Sequence, residues 1–371
     1  MSSEKRFFFH PGAFDYDFGP QHPLRPERLR RTLRLMEAVG LFEEMPVEEP
    51  PFAPRDDLLR CHSSEYLHAV EQASAGAAPE LAFNLRASDN PAFPGMWEAS
   101  LAYTGASIAA AKAVRDGASV AFNISGGLHH AARAKAAGFC IFNDVAIACS
   151  ILRDRFERVA YVDIDLHHGD GVQWLFYDDP TVLTVSIHQD PRTLFPGTGF
   201  VDEVGTAAGH GSSINIPMPP SCTDRLWFGA FEATVRRAFE LFRPEAVVMQ
   251  MGTDPHYLDP LGHLSLTAQG WLRAVELIAG YGLPTVATGG GGYELTTVPR
   301  MWTLACACLA GRTLPETVPE EVAGDLGIPK LLDDDIVPDV ERTERLLAEP
   351  VSEVVQKISF IALKALEEMM S

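Results

Sequence analysis

The eleven residues from Tyr161 to Gly171 read Tyr-Val-Asp-Ile-Asp-Leu-His-His-Gly-Asp-Gly. Successive side chains of a strand point to opposite faces. The pattern therefore sets Asp163, Asp165 and His167 on one face and Val162, Ile164 and Leu166 on the other. Two carboxylates and an imidazole at the end of an apolar strand are costly to desolvate, and a bound divalent cation would offset that cost. The plainer reading is a solvated strand edge with a satisfied histidine. Buried carboxylates are rare unless paired or metal-bound, which weighs against it. A catalytic zinc site needs three protein ligands and one position open to water. Asp165 and His167 supply two. Asp254, in Gly252-Thr-Asp254 after an apolar run, is the candidate for the third, although an Asp in such a place is often a turn residue. Two oxygens and one nitrogen suit Zn²⁺ and also Fe²⁺, Co²⁺ or Mn²⁺, and the sequence does not choose among them.

A second constellation is Ser125-Gly-Gly-Leu-His-His130. Two adjacent imidazoles on a tight loop are, alone, more often a surface accident. Beside a metal, one of them could deprotonate a bound water and protonate a leaving group. Each would need a carboxylate to set its tautomer, and Asp163 and Asp170 are spare for that role. Tyr293 follows four glycines, Gly289 to Gly292. This run is neither a GxGxxG opening a helix nor a Walker loop with its lysine. Its other reading is a backbone bend that delivers a phenol to stabilise an oxyanion; an ordinary core tyrosine is the bland alternative.

The elements that must position these residues alternate along the chain. Strand patterns fall at 6–9, 120–124, 159–166, 182–188, 214–217, 246–251 and 284–288. Helical periodicity falls at 26–39, 65–74, 96–116, 143–155, 224–242, 267–279, 298–309 and 351–369. Such alternation predicts a parallel sheet with helices on both faces. Ligands bind at the carboxyl ends of strands in such sheets, and the Asp163–Asp170, Gly252–Asp254 and Gly289–Tyr293 signals all follow strand runs. Residues 77–95 and 318–342 read as irregular. Too few residues follow the second for an independent core, so residues 1–371 are expected to form one domain, with a C-terminal helix near 351–369 packed back on it.

The chain has 371 residues and a formal charge of −20. That charge argues against nucleic-acid binding, which needs Lys and Arg to neutralise phosphates. It is compatible with a basic substrate such as a lysine-rich segment, and equally with plain solubility. No apolar run approaches a membrane span, and the N-terminal Phe7-Phe8-Phe9 core is too short for a secretory signal. The six cysteines form no CxxC pair. A cytoplasmic protein with reduced thiols is expected.

Taken in order, these segments and several others resemble the zinc-dependent histone deacetylase family, in particular its bacterial acetoin utilisation (AcuC-like) branch. The likeness runs from His22 to Met301. It includes His22-Pro-Leu-Arg-Pro-Glu-Arg28, Asp89-Asn-Pro-Ala-Phe-Pro-Gly-Met96, Gly126-Gly-Leu-His-His-Ala131, Gly138-Phe-Cys-Ile-Phe-Asn-Asp144 and Phe195-Pro-Gly-Thr-Gly199. The resemblance implies an α/β, arginase/deacetylase-type domain with a central parallel sheet of about eight strands. It implies metal ligation by Asp165, His167 and Asp254, with Zn²⁺ the expected ion and Fe²⁺ an option. His130, oriented by Asp170, would be the main general base and acid. His129, paired with Asp163, would tune the field, and Tyr293 would polarise the acetyl carbonyl. Phe139 and Phe195 would wall a tunnel for lysine methylenes, with Gly138 giving room and a backbone acceptor and Asp89 holding substrate backbone at the rim. Arg28 and Leu128 would line an inner acetate cavity. Structural K⁺ is expected at Asp163, Asp165, His167 and Ser186, and at a second site near Phe176, Asp179 and Val182. An acetylated protein substrate is implied, acetyl-CoA synthetase being one option. Oligomeric state is left open.

Two positions depart from the eukaryotic pattern. Leu128 stands where many members have Trp, a change that would widen the inner cavity. His256 stands where an apolar residue is usual; it could touch substrate or be a satisfied loop imidazole, the reading preferred here. The leading expectation is removal of acetyl from N6-acetyl-lysine. The rivals are an acetylpolyamine amidohydrolase using the same site, a binuclear manganese ureohydrolase, and a non-catalytic acetyl-lysine- or nucleotide-binding module.

Overall fold

The polar signals sit where they do because the strands that carry them are short and apolar. In the computed structural model, which describes residues 4–86, 89–315, 317–334 and 340–371, eight strands form one sheet. They are β1 (Lys5–Phe8), β2 (Val47–Glu48), β3 (Val120–Asn123), β4 (Val159–Asp163), β5 (Val182–Gln189), β6 (Ser213–Met218), β7 (Ala246–Gln250) and β8 (Thr285–Thr288). Their order across the sheet is β2-β1-β3-β8-β7-β4-β5-β6, and every pairing is parallel. From β3 through β8 every strand residue is buried. Continuous Val, Ile and Ala runs are what a parallel sheet covered on both faces requires.

The helices are α1 (Glu27–Ala38), α2 (Arg55–Leu58), α3 (Ser64–Ser74), α4 (Met96–Asp116), α5 (Asp144–Leu152), α6 (Asp170–Leu175), α7 (Asp224–Phe242), α8 (Ala268–Ala279), α9 (Thr297–Leu309), α10 (Glu320–Leu326), α11 (Val340–Phe360) and α12 (Ala362–Met369). Two groups cover the sheet. In one, α4 and α5 pack on each other and on the strands from β1 to β4. In the other, α1, α9, α8 and α7 pack in succession. Helix α4 approaches closely because its face is Ala-rich: Ala99, Ala102, Ala106 and Ala110 are buried. Asn143 starts α5 by accepting from Ala146 N, and Thr267 starts α8 by accepting from Gly270 N.

Register brings the strand ends level. Asn123 pairs with Thr288, Thr288 with Gln250, Gln250 with Asp163, and Asp163 with Ser186. One row of buried polar residues thus closes the apolar sheet, and the loops beyond it leave from a single edge.

Several expectations are corrected in detail. Strand β4 stops at Asp163, not residue 166. The strict alternation read through His167 therefore ends early: Ile164 N makes the last ladder bond, to Gln250 O, and Asp165 N then turns to the Asp163 side chain. The two-residue edge strand β2 and the short α2 and α6 are too brief to show periodicity. The region expected to be irregular at 318–342 contains α10, whose Val322 and Leu326 pack with Leu35 of α1; residues 335–339 lie outside the described residues. The other irregular stretch, 77–95, holds turns and one short 3₁₀ turn, and its residues 87–88 are likewise outside. The C-terminal helix expected at 351–369 starts by Val340 and is broken before Ala362; both parts pack on α7 and β6.

Candidate active site

Loops from four strand ends meet in one crevice: those carrying His129 and His130 after β3, Asp165 and His167 after β4, Asp254 after β7, and Tyr293 after β8. Asp165, His167 and Asp254 are 1%, 8% and 0% exposed. One ligand atom of each lies within 4.8 Å of the others. His167 Nδ1 is 3.2 Å from Asp165 Oδ1 and 3.0 Å from Asp254 Oδ2. Other donors take the remaining carboxylate lone pairs. Leu166 N donates to Asp254 Oδ1 at 2.9 Å, and Gln250 Nε2 and Gly291 N each donate to Asp165 Oδ2 at 2.7 Å. The open lone pairs of the three side chains converge on one point.

The electrostatics show what is wanted there. Burial, and then the neighbouring Asp165, push Asp254 up to about 7. Burial works against charge on Asp165 too, yet His129 and the His167 hydrogen bond hold it well below the usual carboxylate range. Burial also opposes charge on His167, but hydrogen bonds to Asp165 and Asp254 raise it to about 10. These shifts mark a buried site short of positive charge. One imidazole nitrogen and two carboxylate oxygens so arranged fit a divalent ion such as Zn²⁺ or Fe²⁺, which would supply that charge.

One glycine of the run, Gly291, is explained by the same triad. A Cβ on Gly291 would collide with the Asp254 carboxylate and lie 2.9 Å from that of Asp165. Side chains are excluded because the loop backbone presses on the ligands.

Two histidine–carboxylate dyads face this point. His129 Nδ1 donates to Asp163 Oδ2 at 2.8 Å, and His130 Nδ1 donates to Asp170 Oδ1 at 2.6 Å. Their Nε2 atoms are 3.1 Å apart. Burial disfavours a charged His129, but Asp163 and Asp165 outweigh it and raise the ring to about 9. Burial and then the His129 charge lower His130 below its ordinary value. The two rings are thus driven in opposite directions, His129 toward the charged form and His130 toward the neutral one, with their Nε2 atoms facing each other. The Tyr293 phenol is pushed well above 10 by burial and then by Asp254 and Asp165, so it stays a donor. A narrow cavity lies among Leu128, His130, Gly138, Phe139, His167 and Tyr293.

The profile of the histone deacetylase domain matches residues 22–309. The chain belongs to the histone deacetylase family. It is 37% identical to histone deacetylase clr6 of Schizosaccharomyces pombe over 84% of this chain and 78% of that one. It is 38% identical to acetoin utilization protein AcuC of Bacillus subtilis over 80% of this chain and 79% of that one. A crystal structure of a histone deacetylase homologue complexed with SAHA superposes with a TM-score of 0.88 at 30% identity, covering 96% of this chain and 99% of that one.

Around this histone deacetylase centre the remaining expected residues take defined places. Phe139 has a left-handed backbone (φ 69°) and its carbonyl accepts from Tyr16 Oη at 2.8 Å. Its ring lies 5.8 Å from that of Tyr293. Phe195 is 47% exposed, with its ring edge-on to His130 at 5.1 Å. Gly138 sits between them; a Cβ there would overlap the His130 ring. Asp89 is half-buried and accepts from Gly138 N at 3.1 Å, so it touches the same wall. Arg28 is buried and donates to the carbonyls of Gly290 (2.7 Å) and Gly292 (3.1 Å), with its guanidinium over Trp302. Leu128 is buried, and its N–H donates to Asp144. At the positions expected to hold K⁺, Ser186 lies beside Asp163 in register and its side chain pairs with His188 Nδ1. Asp179 N donates to Phe176 O between α6 and β5, just before Val182. His256 is a satisfied loop imidazole: it is 1% exposed, with Nε2 on Asp333 at 3.0 Å.

Three residues that position this centre escaped the sequence reading. Gln250 orients Asp165. Asp144 accepts from Gly127 N and Leu128 N and so shapes the turn into His129. Asp259 accepts from Tyr293 N. Of the three, Gln250 left a signal, as the one polar residue in the apolar run 246–251.

Proposed function

We propose that the protein is a metal-dependent hydrolase that removes acetyl groups from the ε-amine of lysine in proteins or peptides. The observation that carries this reading is the pairing of a buried Asp165–His167–Asp254 triad with two histidine–carboxylate dyads, His129–Asp163 and His130–Asp170, beside one cavity. A divalent ion held by the triad would supply Lewis acidity toward a water and an amide carbonyl. His130 Nε2 accepts the proton of the attacking water, with Asp170 stabilising the imidazolium that results. His129, held charged by Asp163, favours negative charge developing nearby. The Tyr293 hydroxyl donates to the carbonyl oxygen as it becomes an oxyanion. His130 then gives its proton to the departing amine.

The walls support an acetyl-lysine substrate. Phe139 and Phe195 offer apolar faces to the methylenes, and Asp89 at the rim offers a carboxylate to substrate backbone N–H groups. Arg28 and Leu128 line the inner space for acetate. Zn²⁺ is the proposed resident ion, with Fe²⁺ as the alternative, and K⁺ is proposed at the two positions beside β4 and β5. The formal charge of −20 favours lysine-rich segments over nucleic acid. We place the protein in the cytoplasm, with six reduced cysteines, five of them buried, in support. The likeness to acetoin utilization protein makes acetylated acetyl-CoA synthetase a protein substrate to try.

The test is kcat/KM on acetyl-lysine peptides against acetylspermidine and acetylputrescine. A preference for the peptides of tenfold or more is expected, since each 1.4 kcal/mol of differential transition-state contact is tenfold. A preference for the polyamines would overturn the substrate class while leaving the hydrolase standing.

A further inference from the structure

The structure assigns Asp259 a role that rests on the reading of Tyr293 above. We infer that it is a positioning residue that fixes the tyrosine over the triad through its backbone.

Asp259 is 6% exposed, and no Lys or Arg pairs with it among the described residues. Its lone pairs go to backbone instead. Oδ1 accepts from Leu261 N at 3.0 Å, closing the turn of its own loop, and Oδ2 accepts from Tyr293 N at 2.7 Å. A desolvated carboxylate spent on two backbone donors is a costly way to hold a loop, and the loop it holds has particular need of it. Gly289 to Gly292 carry no side chains, and Gly290 and Gly292 have φ of 156° and 130°. Such a segment has unusual conformational freedom and is placed only by bonds to its backbone. Gly289 N is held by Asn123 O, and Gly291 by Asp165 Oδ2 and Thr253 N. Arg28 Nη1 holds the carbonyls of Gly290 and Gly292, and the bond that follows is the one from Tyr293 N to Asp259. It sets the direction of the tyrosine Cα–Cβ bond.

Asp259 can serve as an anchor because its own loop is fixed on both sides of it, behind it by His263 N, which donates to Gln189 Oε1 at 2.9 Å, and ahead of it by two residues. Asp254 begins that loop at the triad. His256 is bound to Asp333, which also pairs with Arg300 of α9, the helix that follows Tyr293. One carboxylate therefore ties the loop of the third ligand to the loop of the phenol.

The experiment is a double-mutant cycle on the metal-loaded enzyme with Asp259→Asn and Tyr293→Phe. An amide in place of the carboxylate can accept only one of the two N–H groups. Asp259→Asn is expected to lower kcat about ten- to a hundredfold, with KM within about twofold and one metal retained per chain, since a misplacement near 1 Å can cost as much as 10². In the Tyr293→Phe background the same change is expected to cost less than about twofold, because two residues acting through one group are non-additive. Additive losses, loss of metal, or an unchanged kcat for Asp259→Asn would each overturn the inference while leaving the tyrosine assignment intact. A fully active Tyr293→Phe would overturn that assignment and this inference together. If Asp259→Asn does not fold, Asp259→Glu is read in the same cycle.

Discussion

At the scale of single residues, the site works by holding like groups in unlike states. His129 and His130 are adjacent in sequence and 3.1 Å apart at Nε2, yet against burial Asp163 and Asp165 raise the first ring to about 9, while burial and then the neighbouring His129 lower the second below its ordinary value. Tyr293 stays protonated for the same reason that its acidity is lost, namely burial among carboxylates. Its substitution Tyr293→Phe removes one oxyanion donor and nothing else. We expect kcat to fall on the order of 10²–10³, with KM little changed; steady-state kinetics on an acetyl-lysine peptide reads this directly, and an unaltered kcat in a folded variant would contradict it. The ligand and dyad residues were legible because their types are rare on apolar strands and tight glycine turns. Asp259 and Asp144 were not, because they act on backbone N–H groups and a sequence does not show which backbone a carboxylate will meet.

At the scale of elements, seven of the strands and most long helices were readable from apolar runs and periodicity. What failed was short or locally polar. Strand β2 has two residues, and β4 gives up its ladder at Asp163 because the polar residues beyond it bond sideways. Helix α10 lay in a stretch rich in Pro, Gly and Asp, and forms because Val322 and Leu326 find Leu35 of α1. Asp333, just beyond it, joins elements far apart in the chain. It pairs with His256 and with Arg300 at 2.9 Å, and accepts from Ala268 N at the start of α8 at 2.7 Å. Its side chain is 6% exposed and that of Arg300 9%. Removing one partner of a buried pair strands the other's charge. Asp333→Ala should therefore cost on the order of 3 kcal/mol of unfolding free energy, measured by urea denaturation at pH 7. A loss under about 0.5 kcal/mol, the size of an ordinary surface change, would show that Asp333 does not hold these elements together.

At the scale of the whole molecule, a fully buried parallel sheet demands that every polar group near it be matched, and this limits the pH range of the fold. His62 is 0% exposed; its Nε2 accepts from Asn143 N and its Nδ1 donates to Ala132 O. His188 is equally buried, between Ser186 and Gly199. Burial lowers both rings to about 4. The unfolded chain binds these protons near pH 6.5, so it takes up more of them than the folded chain as pH falls. The stability these two rings contribute is whole above pH 6.5, and drains away between there and about pH 4, by on the order of 2 kcal/mol each at pH 5. NMR titration of the histidine rings should show two midpoints far below the ordinary value; midpoints near 6.5 for all rings would contradict it. The fold exists to hold the crevice, which we propose is a metal-dependent amidohydrolase site. The most direct measurement is turnover of a fluorogenic acetyl-lysine peptide by the purified protein as isolated, after chelation, and after Zn²⁺ or Fe²⁺ is returned. Activity that vanishes with the chelator and comes back with the ion is the result expected. Turnover that persists undiminished in protein shown to be metal-free, or a folded, metal-loaded protein with no turnover at all, would contradict the account.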